Sequence, residues 1–152
     1  ARLRRQHDQG PDVAAQVVQR LIMDEQVPVV TDGSGLDRGN LVTCSLLTAL
    51  LDHFGPASDL AGGLPVANQT GTLAHRFEDD PAAGRLAAKT GLLNNVNALA
   101  GFVTNDDGLV TFAQILNGIP LTGGLGTDIQ EELVAVLLRH PGSLDAEDVF
   151  PE

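Results

Sequence analysis

The single lysine of the chain stands in Lys89-Thr90-Gly91, at the end of an apolar run that predicts a β-strand. Three residues of this kind recur by chance, and an exposed lysine before a turn is the simplest account of them taken alone. A phosphate-binding loop is excluded, because that motif needs glycine immediately before its Lys-Ser/Thr pair and Ala88 stands there. His7, His53, His75 and His140 are scattered without a His-x-x-x-His pair, and Cys44 is the only cysteine. No metal site and no intrachain disulfide is therefore expected. Nucleophilic catalysis needs a hydroxyl activated by a neighbouring base. None of Ser34, Ser45, Ser58 and Ser143 has a lysine three residues on or an asparagine two residues on, and no other residue pair supplies such a couple.

The elements that must carry these residues can be read from pattern. Val13, Val17 and Leu21 share one face of a helix predicted over Asp12–Met23, started by Pro11 and Asp12. Val27–Val30 holds Pro28 and so is expected as an edge strand or a loop. Asp32-Gly33-Ser34-Gly35 is a turn. Thr43 can cap a helix over Cys44–Phe54 that Gly55-Pro56 ends. Residues 57–81, rich in Gly, Pro, Asn and Asp, are expected as a long surface loop with a short helical turn near Ser58–Leu60.

Three strand-like runs follow, Arg85–Gly91, Val96–Thr104 and Leu109–Leu116, joined by turns at Asn94-Asn95 and Asp106-Asp107-Gly108. A last helix, Thr127–Arg139, is capped by Thr127 or Asp128 and stopped by Pro141-Gly142. Short connections make the strands an antiparallel meander, so the class is α+β, with helices at both ends of the chain covering one face of the sheet.

The 152 residues suffice for one domain with a core, and an apolar share of 43% excludes disorder. With five Phe, no Trp and no Tyr, that core must be built from Leu, Val, Ile and Ala. A net charge of −11 argues against nucleic acid and anionic membrane surfaces, which reward clustered Lys and Arg. No 18-residue apolar run is present, and nothing after Ala1 has the pattern of an export signal.

Five blocks in order add a resemblance. Asp32-Gly-Ser-Gly-Leu-Asp-Arg-Gly-Asn40, Leu64-Pro-Val-Ala67, Gly71-Thr-Leu73, Ala88-Lys-Thr-Gly91 and Val96-Asn-Ala-Leu-Ala-Gly-Phe102 resemble, in order and spacing, segments of the class C low-molecular-weight penicillin-binding proteins, which are D-alanyl-D-alanine carboxypeptidases and endopeptidases. The likeness covers about residues 27–118. It implies the C-terminal part of a β-lactamase/transpeptidase-like fold.

What the resemblance implies for residues is specific. Lys89, Thr90 and Gly91 would form the third signature element of these enzymes, on the strand lining the cleft. Lys89 would offer charge and Thr90 an O–H to the carboxylate of a stem peptide ending in D-Ala-D-Ala. Gly91 would leave the strand bare for the substrate backbone, and the N–H of Leu92 would be half of an oxyanion hole. Ser34, Leu36, Arg38 and Leu93 match positions lining the same cleft. A turn role for Ser34 and a surface ion pair for Arg38 are the plain alternatives.

Two departures stand out: Leu92 lacks the usual hydroxyl, and Asp37 beside Arg38 could tie up the arginine. The Ser-x-x-Lys and Ser-x-Asn elements do not occur in the sequence and would lie N-terminal to it. The resemblance further implies β-lactams and the N-terminal part as partners, an extracytoplasmic location, and no cofactor. Two other readings stay open: a non-catalytic binder of cell-wall peptides or of a partner protein, and a domain that only packs against a partner chain.

Overall fold

The computed structural model describes Gln16, residues 28–118 and residues 124–141. Apart from the exposed, helical Gln16, the helix expected over residues 12–23 lies outside the described residues. Helix α1, Cys44–Phe54, begins where Thr43 accepts a hydrogen bond from Leu46 N and ends where the Gly55 N–H donates to Leu51 O. Gly55 can do this because its φ of 75° is open to glycine. A short helix α2, Asp59–Gly62, is capped by the Ser58 hydroxyl. Strands β1 (Leu86–Leu93), β2 (Val96–Thr104) and β3 (Leu109–Asn117) follow, and helix α3 spans Leu125–Arg139.

The strands form an antiparallel meander in the order β1-β2-β3. The register places Ala88 opposite Gly101 and Leu92 opposite Asn97. Alternation then sorts the side chains. Leu86, Ala88, Leu99, Val103 and Phe112 point to one face and join Val134 of α3 in the core, with Leu133, Leu137 and Leu138 packed against it. Phe102 points to the other face, where α1 packs on β2 and β3 with Leu46 and Leu51 buried. Helices thus cover both faces of the sheet, α3 one and α1 the other, and the N-terminal helix of the pair expected on one face lies outside the described residues. The run from Ala98 to Val103 is apolar on both faces, so both need cover.

Residues 57–81 form the long, largely exposed loop expected, with its short helical turn at α2, but three of them also reach inward. Ala67, Leu73 and Phe77 from this stretch lie in the core. Phe77 has φ 63°, a left-handed conformation that costs a bulky residue about 1–2 kcal/mol, and its ring is only 5% exposed in return. Irregular backbone has no period, so these apolar residues gave no pattern to read.

Smaller differences concern ends. Strand β1 runs on through Leu92 and Leu93, and α3 starts at Leu125 with Gly124 as N-cap rather than at Thr127 or Asp128. Pro28–Val30 contributes a single bridge, Val29 to Leu41. The β2–β3 turn is anchored by Asn105, which is 7% exposed. Its Oδ1 accepts from the N–H groups of Asp107 and Gly108, and its Nδ2 donates to the carbonyls of Leu137 and His140.

Candidate active site

Strand β1 has two unlike halves along its outer edge. At Leu86 to Ala88 the edge is closed: Ala67 N donates to Leu86 O at 2.9 Å and Ala88 N donates to Pro65 O at 2.9 Å. These bonds fix which residues face outward. Leu86 and Ala88 do, so by alternation the N–H and C=O groups of Thr90 and Leu92 face outward too. From Lys89 onward no described backbone pairs with that edge. An extended chain laid there would find Thr90 and Leu92 as its hydrogen-bonding partners.

The side chains around this open edge are those singled out from the sequence. Lys89 is exposed, and its ammonium donates to the Thr90 carbonyl at 2.6 Å. Thr90 is half-buried, and its hydroxyl donates to Thr72 Oγ1 at 2.9 Å. A Cβ on Gly91 would stand 3.3 Å from the Ala98 Cβ, an approach only slightly tight. Leu92 is 64% exposed, a large apolar side chain where a hydroxyl would be expected, and Leu93 is half-buried.

Ser34, Leu36 and Arg38 lie in a different structure, a loop closed by the Val29–Leu41 bridge. The Asp32 carboxylate organises it. It accepts from the Ser34 hydroxyl, from Asn40 Nδ2 at 2.7 Å, and from the N–H groups of Gly35 (3.1 Å), Leu36 (3.4 Å) and Asp37 (3.3 Å). The Ser34 hydroxyl above all, then Asn40 and the backbone donors, stabilise the charged form and hold the Asp32 carboxyl down at about 2. The Asn40 Oδ1 in turn accepts from Thr31 N and Thr31 Oγ1.

Ser34 therefore has a turn role here. Asp37 does not tie up Arg38: its Oδ1 accepts from Gly39 N at 2.7 Å, and Arg38 forms no ion pair among the described residues. No hydrogen bond or ion pair joins this loop to Lys89–Leu93 among the described residues.

Two features escaped the sequence reading. One is Thr72, in the 3-10 turn Gly71–Leu73. Its block was visible, but nothing in it marked the threonine as a neighbour of Thr90. The other is a polar chain behind β1. Gln130 of α3 is 1% exposed, donates to Asn97 Oδ1 at 2.7 Å and accepts from Arg76 Nη1 at 3.0 Å. Arg76 also pairs with Glu131 at 3.2 Å and lies over the Phe77 ring. The available signal was a glutamine on the face of α3 that also carries Leu133, Val134 and Leu137. Among the described residues no group of three or more His, Cys, Asp or Glu could hold a metal ion.

Residues 4–140 match the D-Ala-D-Ala carboxypeptidase 3 (S13) family. A D-alanyl-D-alanine carboxypeptidase of Actinomadura sp. is 36% identical over 122 residues, which is 75% of this chain and 22% of that protein. Carboxypeptidase DacB of Mycolicibacterium smegmatis is 42% identical over 123 residues, 74% of this chain and 26% of that one. The chain thus spans about a quarter of the length of the curated relatives it matches. Penicillin binding protein 4 (dacB) from Haemophilus influenzae, solved with a β-lactam, superposes with a TM-score of 0.74 at 28% identity, covering 87% of this chain and 33% of that one. A predatory endopeptidase from Bdellovibrio bacteriovorus, solved with an immunity protein, shares the fold at a TM-score of 0.71 and 23% identity. On the match over residues 4–140, the chain belongs to the D-Ala-D-Ala carboxypeptidase 3 (S13) family.

Proposed function

We propose that this chain supplies the cleft strand of a serine-type D-Ala-D-Ala carboxypeptidase acting on peptidoglycan stem peptides outside the cytoplasmic membrane. The observation that carries the reading is the open half of β1, where Thr90 and Leu92 aim their backbone groups outward and Lys89 supplies a cation at the same edge. The substrate backbone lies antiparallel or parallel along this edge, and its terminal carboxylate meets the Lys89 ammonium. A serine hydroxyl from the N-terminal part of the enzyme, outside these 152 residues, attacks the penultimate D-Ala carbonyl. The Leu92 N–H and the nucleophile's own N–H stabilise the oxyanion. The terminal D-Ala leaves, and water then releases the acyl group. β-Lactams acylate the same serine. Arg38, free of Asp37, contacts the polar end of the stem-peptide side chain, with Ser34, Leu36 and Leu93 shaping the surroundings.

The test pairs two measurements. The 152-residue chain alone shows no turnover above background on a diacetyl-Lys-D-Ala-D-Ala peptide. The enzyme that carries this segment together with its nucleophile is acylated by a fluorescent penicillin, and Lys89→Ala lowers that acylation rate by about 100-fold or more, as loss of a charged contact made in the transition state should. Turnover by the chain alone, or an unaffected Lys89→Ala enzyme, refutes the reading.

One observation favours a second reading. The exposed Leu92 removes a hydroxyl from the carboxylate site, as a binder of cell-wall peptides without catalysis would tolerate. On that reading the protein with its upstream region binds the peptide but is not labelled by penicillin.

A further inference from the structure

In the reading above the Leu92 N–H is half of the oxyanion hole, and it is held from one side. Among the described residues the outer edge of β1 is open from Lys89 onward, so only β2 places Leu92. The N–H and C=O of Leu92 face outward, and the ladder contacts with β2 fall to Gly91 and Leu93 on either side of it. An oxyanion donor acts by being fixed before the charge develops, so it needs a support behind it. Opposite Leu92 in the register stands Asn97.

The Asn97 side chain lies on the face of β2 that α3 covers, and α3 grips it at two successive turns. Gln130 Nε2 donates to Asn97 Oδ1 at 2.7 Å. One turn earlier, a Cβ on Gly126 would overlap Asn97 Nδ2 and stand 2.9 Å from its Cγ. Gly126 is buried in regular helix, where glycine weakens the element. What its missing side chain provides is room for Asn97. One guanidinium orders both amides. Arg76 can only donate, and its Nη1 donates to Gln130 Oε1 at 3.0 Å. That turns Gln130 Nε2 toward Asn97, which must then present its oxygen. Gln130 is 1% exposed and so is closed off from bulk water. Arg76 is steadied by Glu131 at 3.2 Å, and its carbonyl accepts from Asn68 N at 3.0 Å, in the segment that seals the other half of the β1 edge.

We propose that Asn97 and Gln130 are positioning residues for the Leu92 N–H. Clamped between Gly126 and Gln130, Asn97 fixes the end of the β1–β2 pair against α3, and so fixes where the oxyanion donor stands. Arg76 refers that position to the segment sealing β1, so both halves of the strand edge share one anchor. This role rests on the carboxypeptidase reading above.

The test uses the enzyme carrying this segment with its nucleophile and a diacetyl-Lys-D-Ala-D-Ala peptide. Asn97→Leu and Asn97→Asp both keep the size of the side chain, and only the second keeps an oxygen for Gln130 Nε2. Asn97→Leu lowers kcat by about tenfold, a part of the roughly 10²–10³-fold that losing an oxyanion donor costs. KM stays within about twofold, because the N–H serves the transition states of acylation and deacylation alike. Asn97→Asp keeps kcat within about threefold of wild type. Gly126→Ala leaves every hydrogen-bonding group in place but pushes Asn97 off α3; it lowers kcat as Asn97→Leu does, and carries the test should Asn97→Leu not fold. Leu51→Ala, a core loss under α1 on the opposite face of the sheet, lowers stability but not kcat at a temperature where the variants are folded. An unchanged kcat in Asn97→Leu or Gly126→Ala, an equal loss in Asn97→Asp or Leu51→Ala, or a loss carried by KM overturns the positioning role while leaving the carboxypeptidase reading in place. A wild-type enzyme inert toward the peptide overturns that reading, and the positioning role with it.

Discussion

Replacing Gly101 with alanine should break the β1–β2 pairing that presents Lys89. Gly101 faces Ala88 across the ladder. A Cβ at Gly101 would stand 2.1 Å from Ala87 O, 2.6 Å from Ala88 Cα and 2.8 Å from Ala88 Cβ. Ordinary contact begins near 3.4 Å. The nearest atoms belong to backbone, so no side chain can swing aside. The strands must part by about 1 Å or lose their local bonds. Overpacking a core costs about 1–3 kcal/mol, and rigid neighbours put this case at the top of that range, about 3 kcal/mol.

The same reasoning gives an internal control. At Gly91 the corresponding approach is 3.3 Å to the Ala98 Cβ, which can yield by a few tenths of an ångström. Gly91→Ala should therefore cost under about 1 kcal/mol. The assay is urea unfolding of the protein carrying the segment, with hydrogen exchange followed at the β1 amides. With a slope of about 2 kcal/mol per molar, Gly101→Ala lowers the midpoint by about 1.5 M and Gly91→Ala by under about 0.5 M. Exchange at Lys89 and Gly91 accelerates in the first variant and not in the second. Equal midpoints for the two variants would refute the argument from close approach.

Two further outcomes follow. Gln130→Leu strands Asn97 Oδ1 without its donor and adds a second orphan to Arg76, whose Nη2 is already buried without a partner. Two stranded groups at about 1–3 kcal/mol each, less the gain from a buried leucine, give a loss of about 2–4 kcal/mol by urea unfolding; a loss under about 1 kcal/mol would show that the polar chain contributes nothing net. The Asp32 loop should resist acid. A carboxyl held below its ordinary 3.8, at about 2, contributes order that is fully present above 3.8 and is lost as pH falls through about 2. Amide shifts of Gly35 and Leu36 should stay constant from pH 7 to pH 4 and move only toward pH 2; a transition centred at pH 4 would contradict it.

Much of the fold was legible because its signals are local. The Thr43 cap, the Gly55 stop, the Asp107-Gly108 turn and the apolar run of β2 each act within a few residues, and each appears where the sequence puts it. The strand bearing Lys89-Thr90-Gly91 was legible for the same reason.

The failures are long-range. Ala67 is buried where its N–H donates to Leu86 O beside the Val66–Ala87 bridge, and Phe77 where a left-handed backbone lets it reach the core. Nothing within either loop sequence encodes those partners. The start of α3 was missed because its cap is Gly124 backbone, not a side chain. Thr72 and Thr90 are eighteen residues apart and meet only once the 3-10 turn docks. The state of Arg38 also depended on geometry: Asp37 is its neighbour in sequence but spends its carboxylate on Gly39.

The two unlike halves of the β1 edge have a consequence for self-assembly. A bare strand edge is a template on which copies of a protein can stack into fibres. Here the template is short. Residues 65–67 occupy it as far as Ala88, leaving Lys89 to Leu93, about 16 Å at ~3.3 Å per residue. The lone lysine stands at the start of that gap, with its ammonium folded onto the Thr90 carbonyl. A second copy pairing edge to edge would have to bring two such charges together and would register over only five residues. A soluble peptide meets neither obstacle. The edge can thus stay open to a small ligand without recruiting its own kind.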